Sequence, residues 1–218
     1  MELPKDFTVD AGILELEAKL GIPRDFFRHL LEEDDWSFVI KLHALFEAAC
    51  THLLLFHFKE PALAELFARI ELSNRTTGKI MFLGKLGLLS KEDRRLISTL
   101  SELRNSLVHD VRNSEFSLGE MVGRLAPPNF KAFAIAFSPF EAKIRRLPYD
   151  PDMGIGYKAD MQESASVDAV TERMRANPKH HIWLGAYNVL VSIVDMYGYS
   201  DYKQWTKARE FFDDEGAI

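Results

Sequence analysis

An arginine, an amide and a histidine lie close together in the segment SELRNSLVHD, as Arg104, Asn105 and His109. An arginine keeps its charge at physiological pH and binds phosphate oxygens through a fork of N–H groups. A histidine gains or loses a proton near neutral pH, so it serves as a general acid or base. These residue types at this spacing are suited to binding a phosphate group or to transferring protons at it.

A helix would present these three side chains on a face of their own. At about 100° per residue, Arg104, Asn105 and His109 span about 140° of the helix surface, with the small side chain of Ser101 between them. The apolar residues fall on a separate stripe that packs into the domain: Leu96, Leu100, Leu103 and Leu107. The small residues leave room for a ligand or a close partner. The alternative is structural: Arg104 caps carbonyls or pairs with an acid such as Glu47, and His109 interacts with the helix dipole.

The apolar residues follow a helical period almost throughout, which predicts an all-α protein with a single domain over residues 1–218. The predicted helices cover 13–20, 25–33, 35–58, a stretch from Pro61 to Ile70, one from Ser73 or Asn74 to Leu86, 91–109, 117–125, 129–146 and a C-terminal packing helix within 177–198. Ser90 and Asp93 resemble a capping box at the start of the helix that carries Arg104. Residues 148–167 are rich in Pro, Gly and Asp, and they predict a long loop or lid.

The composition limits the classes of function. The net charge of −6 argues against a general nucleic-acid coat, although residues 69–112 hold nine cations and five anions and are net positive. The single cysteine, Cys50, excludes an intrachain disulfide. We expect no secretory signal and no segment near the roughly 20 apolar residues that a membrane span needs, hence a cytoplasmic protein.

Five further histidines do not form a metal-binding pattern. Those that come in close pairs have a spacing that points their rings apart on a helix. We interpret them as structural or surface residues: His43, His52, His57, His180 and His181. No metal or other cofactor is predicted.

The motif and the segments before it resemble the HEPN domains, and within them most closely the mannitol-operon repressor (MltR-like) family. Three segments carry the resemblance, which covers residues 35–116: the apolar helix FVIKLHALFEAACTHLLLF, the turn KLGLLSKED, and LISTLSELRNSLVHD followed by Phe116. The resemblance implies a bundle of four to five core helices, mostly dimeric, to which this chain adds C-terminal helices. It assigns Arg104, Asn105 and His109 to the site, with Glu47, Ser101 and Asp110 in support.

Many HEPN domains are metal-independent endoribonucleases, so the resemblance implies RNA cleavage or binding of an RNA or nucleotide phosphate. Such cleavage needs a base, an acid and a cation, which one arginine and one histidine do not readily supply. We therefore expect a homodimer whose cleft holds two copies of Arg104 and His109, with Ile97, Ser101 and Val108 along the contact. The alternative is a non-catalytic transcriptional regulator or protein-interaction module of the mannitol repressor type, although no helix-turn-helix for DNA is found.

Overall fold

The computed structural model describes residues 11–108, 115–138 and 166–215, the last part from residue 202 onward in backbone only. Within these ranges every regular element is helical, which confirms the predicted all-α class. The α-helices are α1 Ala11–Lys19, α2 Phe26–His29, α3 Asp35–Phe58, α4 Ala64–Arg69, α5 Lys79–Lys85, α6 Lys91–Val108, α7 Leu118–Arg124, α8 Pro127–Ala136, α9 Val167–Ala176 and α10 Pro178–Glu215. Short 3₁₀ turns at Leu30–Glu32 and Pro61–Leu63 lead into α3 and α4.

The centre of the fold is α3, which packs against α10, α6, α5 and α4. Its first turn is capped by Asp34, whose carboxylate accepts a hydrogen bond from the Ser37 amide at 2.8 Å. It ends at Phe58, and the next residue, Lys59, adopts the left-handed conformation with φ 50°. Buried apolar side chains from α1 through α10 form one connected core, so the C-terminal helices share the core of the N-terminal ones.

The long apolar helix α3 corrects one expectation from the sequence. By length and hydropathy alone it is able to cross a membrane, whereas we expected no such segment. A central helix of a bundle has the same composition because most of its surface contacts other helices. Ten of its side chains are buried inside this chain, including Phe38, Phe46 and Leu53.

The helix that carries Arg104 begins as predicted. The Ser90 hydroxyl accepts a hydrogen bond from the Asp93 amide at 3.0 Å, and the Asp93 carboxylate accepts one from the Ser90 amide at 2.9 Å. This reciprocal pair is a capping box, with aspartate in place of glutamate. Seven residues of α6 are buried, so the helix packs against the core along its length: Asp93, Leu96, Ile97, Leu100, Ser101, Leu103 and Leu107.

The start of α5 differs from the prediction. Asn74 does not cap a helix; its amide oxygen accepts hydrogen bonds from the Thr76 and Thr77 amides at 3.0 and 3.1 Å, which closes a turn. The helix begins later, at Lys79, after Gly78. A Cβ atom on Gly78 would come within 2.5 Å of the Asn74 backbone nitrogen, so this tight turn requires glycine. The turn therefore places Lys79, rather than an apolar residue, at the first position of α5.

Three other boundaries were predicted wrongly. The helix α8 ends at Ala136, shortly before Pro139, which disfavours helical backbone at the residue that precedes it; residues 139–146 of the predicted helix lie outside the described residues. The helix α9 was not predicted; it begins at Val167 with Ser166 as its cap, so the last two residues of the predicted loop 148–167 belong to the start of this helix. The helix α10 runs on to Glu215 instead of stopping near residue 198. The rest of the predicted loop, residues 148–165, lies outside the described residues.

Candidate functional site

Arg104 lies on the outer side of α6, four residues before the last described residue of that helix. Its side chain is half-buried, and its Nη1 donates a hydrogen bond to Oδ1 of the exposed Asn105 at 3.1 Å. Within the described ranges, no carboxylate lies within ion-pair distance of the guanidinium. Arg104 and Asn105 thus offer solvent a cation and an amide side by side.

Glu47 on α3 is paired with a lysine of α5. The Nζ atom of Lys79 donates a hydrogen bond to Glu47 Oε1 at 3.1 Å. The Lys79 side chain is only 1% exposed, whereas that of Glu47 is 43% exposed. The alternative in which Glu47 neutralises Arg104 is therefore not what the structure shows, because the carboxylate that faces this region already balances a buried ammonium group.

Ser101, one turn before Arg104 on α6, is buried and contacts a histidine of α3. Its Oγ lies 3.2 Å from Nε2 of His43 and donates a hydrogen bond to the carbonyl oxygen of Ile97 at 2.9 Å. His43 is 8% exposed. Burial lowers its pKa below the ordinary value of 6.5, and the nearby charges of Arg104 and Lys79 lower it further, while Glu47 opposes them. His43 is therefore a neutral imidazole at physiological pH.

These residues form one group at the junction of three helices, which we call the α3–α5–α6 polar cluster. Its members are His43 and Glu47 on α3, Lys79 on α5, and Ser101 and Arg104 on α6. The three helices pack against one another in pairs. With one lysine, one arginine and one glutamate charged and His43 neutral, the formal charge of the cluster is +1. A positive group of this kind, with one cation half-exposed, is suited to binding an anion.

The structure brings part of the predicted site together. Arg104, Asn105, Ser101 and Glu47 lie on described helices around this cluster. His109 and Asp110 lie outside the described residues, so the predicted adjacency of Asn105 and His109 stays a prediction.

The predicted lining of a subunit contact needs a correction. Ile97 and Ser101 are 0% and 2% exposed and face the core of their own chain, so neither is able to line a contact with a second copy. The helical arithmetic placed them on the face of Arg104 but did not show that α3 covers that part of the face. Val108 is 38% exposed and is the one member of the predicted contact that reaches the surface.

Sequence reasoning missed two members of the cluster, His43 and Lys79. His43 was grouped with the structural histidines, although it lies four residues before Glu47 and therefore on the same face of α3. Lys79 had no signal in its own neighbourhood, because its partner is 32 residues away in the chain.

The structural interpretation of three other histidines is confirmed. His52 and His57 contact Tyr197 and Ser200 of α10 at 2.8 and 2.7 Å. His181 contacts the carbonyl oxygen of Ala134 at 3.3 Å. Among the described residues, no three His, Cys, Asp or Glu side chains are grouped so as to hold a metal ion. Burial raises the pKa of the Cys50 thiol to about 12, which makes it an unreactive core residue.

A comparison of the chain with protein-family models, with curated proteins and with solved structures found no match. The α3–α5–α6 polar cluster and the Arg104 motif are therefore the features from which a function is inferred.

Proposed function

We propose that this protein binds RNA or nucleotide phosphate at Arg104 and, as a homodimer, cleaves RNA without a metal ion. One observation carries the proposal. Arg104 is a half-exposed cation beside an exposed amide, and the nearby carboxylate of Glu47 is already bound by Lys79. A guanidinium that has no carboxylate partner among the described residues is available to the planar, bidentate contacts that phosphate oxygens accept.

The chemistry would use the RNA itself as the nucleophile. The 2′-hydroxyl attacks the adjacent phosphorus while a base removes its proton, and the 5′-oxygen leaves as it receives a proton from an acid. The products are a 2′,3′-cyclic phosphate and a 5′-hydroxyl. Arg104 would stabilise the negative charge on the phosphate oxygens in the transition state, and His109, five residues on, would serve in proton transfer.

A homodimer would supply the second proton-transfer group. Two copies of the end of α6 related by a two-fold axis would bring two arginines and two histidines to one cleft. The exposed Val108, one turn after Arg104, supports a contact at this place because an apolar side chain at the surface is stabilised by burial. Light scattering on the purified chain tests the dimer; a monomer at micromolar concentration would remove the shared cleft.

The cleavage test uses a 5′-labelled RNA in the presence of EDTA. We expect the wild-type protein to cleave it and the variants Arg104→Gln and His109→Ala to lose this activity. The matched control is Arg124→Gln, which removes an exposed arginine from the end of a different helix, where it pairs with Glu120 at 2.8 Å. Cleavage by Arg104→Gln at the wild-type rate would contradict the proposal.

A regulator or protein-interaction module is the second candidate, and the net charge of −6 favours it. A chain with this charge gains little from general attraction to nucleic acid, so RNA affinity would depend on the local cluster alone. Absence of both RNA binding and RNA cleavage in a folded wild-type dimer would support this second function over the first.

A further inference from the structure

The contacts of Ser101 define which group donates the hydrogen bond between His43 and Ser101. The Ser101 hydroxyl has a single hydrogen, and it donates this hydrogen to the carbonyl oxygen of Ile97 at 2.9 Å. The 3.2 Å contact with His43 must then use a hydrogen on the histidine Nε2, with Ser101 Oγ as the acceptor. In the neutral ring this leaves Nδ1 as the nitrogen with a free lone pair. Protonation of Nδ1 would keep both hydrogen bonds intact.

Burial disfavours the protonated form of His43, and charged groups on three helices add to or oppose this effect. Arg104 on α6 and Lys79 on α5 repel a positive imidazole, and Glu47 on α3 attracts it. Of these, Lys79 and Glu47 are bound to each other, so their effects largely offset. The half-exposed Arg104 remains as the charge that a ligand is able to neutralise.

We propose that His43 is a proton-accepting group of the Arg104 site, so that a phosphate dianion bound at Arg104 is accompanied by one proton on His43 Nδ1. This inference rests on the phosphate binding proposed above. The formal charge of the α3–α5–α6 polar cluster is +1 with His43 neutral and +2 with His43 protonated, and the second value matches a dianion. A phosphodiester carries one charge and needs no added proton. Binding of a terminal phosphate dianion, as at an RNA end or on a nucleotide, would therefore be accompanied by proton uptake, whereas binding of an internal diester would not.

Linkage makes this proton uptake measurable from two sides. An anion at Arg104 offsets the repulsion on His43, so ligand binding raises the His43 pKa, and protonation of His43 tightens binding by the same factor. Nitrogen-15 NMR of the imidazole rings follows the His43 titration, which a His43→Gln variant identifies. The probes are deoxyadenosine 5′-monophosphate, a dianion near neutral pH, and the deoxy dinucleotide with one diester phosphate, which lacks the 2′-hydroxyl and is not cleaved.

We expect the monophosphate to raise the His43 pKa clearly and the diester to raise it less. In the ligand-free protein, Arg104→Gln should also raise it, since the repelling charge is gone. A His43 titration that does not move when the monophosphate binds would overturn this inference and leave the proposed function standing. Failure of both probes to bind would overturn both.

A second measurement separates this role from a structural one. We expect the affinity of the wild-type protein for the monophosphate to rise about twofold or more as the pH is lowered from about 8 to about 7, which corresponds to a coupling of about tenfold between the proton and the ligand. In His43→Gln, the affinity for the monophosphate should depend on pH only through the titration of the monophosphate itself. The matched control is His52→Gln, another α3 histidine, which contacts Tyr197 and lies away from the cluster; its pH dependence should match the wild type. Equal loss in both variants would contradict the assignment to His43.

Discussion

The pair formed by Glu47 and Lys79 predicts an unequal response to the loss of either partner. If Glu47 is replaced by alanine, the Lys79 ammonium group stays buried at 1% exposure and loses the acceptor 3.1 Å away. If Lys79 is replaced by methionine, a side chain of similar size fills the same space, and the Glu47 carboxylate, 43% exposed, is hydrated by solvent. The first change should therefore be much more destabilising than the second.

The magnitude follows from the burial of the two groups. Removing one partner of a fully buried pair costs about 3–5 kcal/mol. Because Glu47 is partly solvated, the cost of Glu47→Ala should be somewhat lower, about 2–4 kcal/mol of unfolding free energy. Lys79→Met should cost about 1 kcal/mol or less. The double variant should resemble Lys79→Met alone, because the buried charge is then absent.

Urea unfolding at neutral pH, followed by circular dichroism and tryptophan fluorescence, measures these free energies. Asp201→Ala is the control: its carboxylate pairs with Lys59 at 2.8 Å, but both side chains are 54% exposed, so the loss should be about 1 kcal/mol or less. Equal destabilisation by Lys79→Met and Glu47→Ala would show that the unpaired buried ammonium group does not determine the cost.

Three further predictions concern the fold. Asp93→Ala removes half of the capping box of α6 and should lower the unfolding free energy by about 1 kcal/mol, seen as a lower thermal midpoint. Gly87→Ala should lower the unfolding free energy by about 1 kcal/mol because φ is +77° at this residue, although an added Cβ would meet no atom within 4 Å. Gly123→Ala is the control: this residue lies inside α7 and is equally uncrowded, so alanine should be neutral or stabilising there. A larger loss for Gly123→Ala than for Gly87→Ala in urea unfolding would contradict this prediction. Burial lowers the pKa of His181 below 6.5, so the unfolded chain binds more protons than the folded chain does. The contribution of His181 to the unfolding free energy should therefore be fully present above about pH 6.5 and should be lost as the pH falls below this value. In His181→Gln the unfolding free energy should decrease less over the same pH range.

The parts of the fold that were predicted correctly depend on nearby residues. The start of α3 at Asp35 follows from its cap, Asp34, which binds the amide of Ser37. The start of α6 follows from the capping box that Ser90 and Asp93 form. The start of α5 was missed because it depends on how closely the backbone of Gly78 approaches Asn74, which no spacing of residue types reveals.

The candidate site was predicted only in its local part. Arg104 and Asn105 are neighbours in the sequence, and the structure places both at the surface of α6. The rest of the cluster joins residues far apart in the chain: His43 contacts Ser101 across 58 positions. Periodicity shows which face of a helix a residue occupies but not which other helix covers that face, so the burial of Ser101 was not foreseen.

Equilibrium binding tests most directly whether Arg104 binds the phosphate of RNA. Fluorescence anisotropy of a short labelled RNA, with EDTA present and at fixed salt, compares Arg104→Gln with Arg124→Gln, which also loses one exposed arginine. We predict a loss of affinity of about tenfold or more for Arg104→Gln, the loss of one charged hydrogen-bonding contact, and about twofold or less for Arg124→Gln. Equal affinities of the two variants would contradict the account.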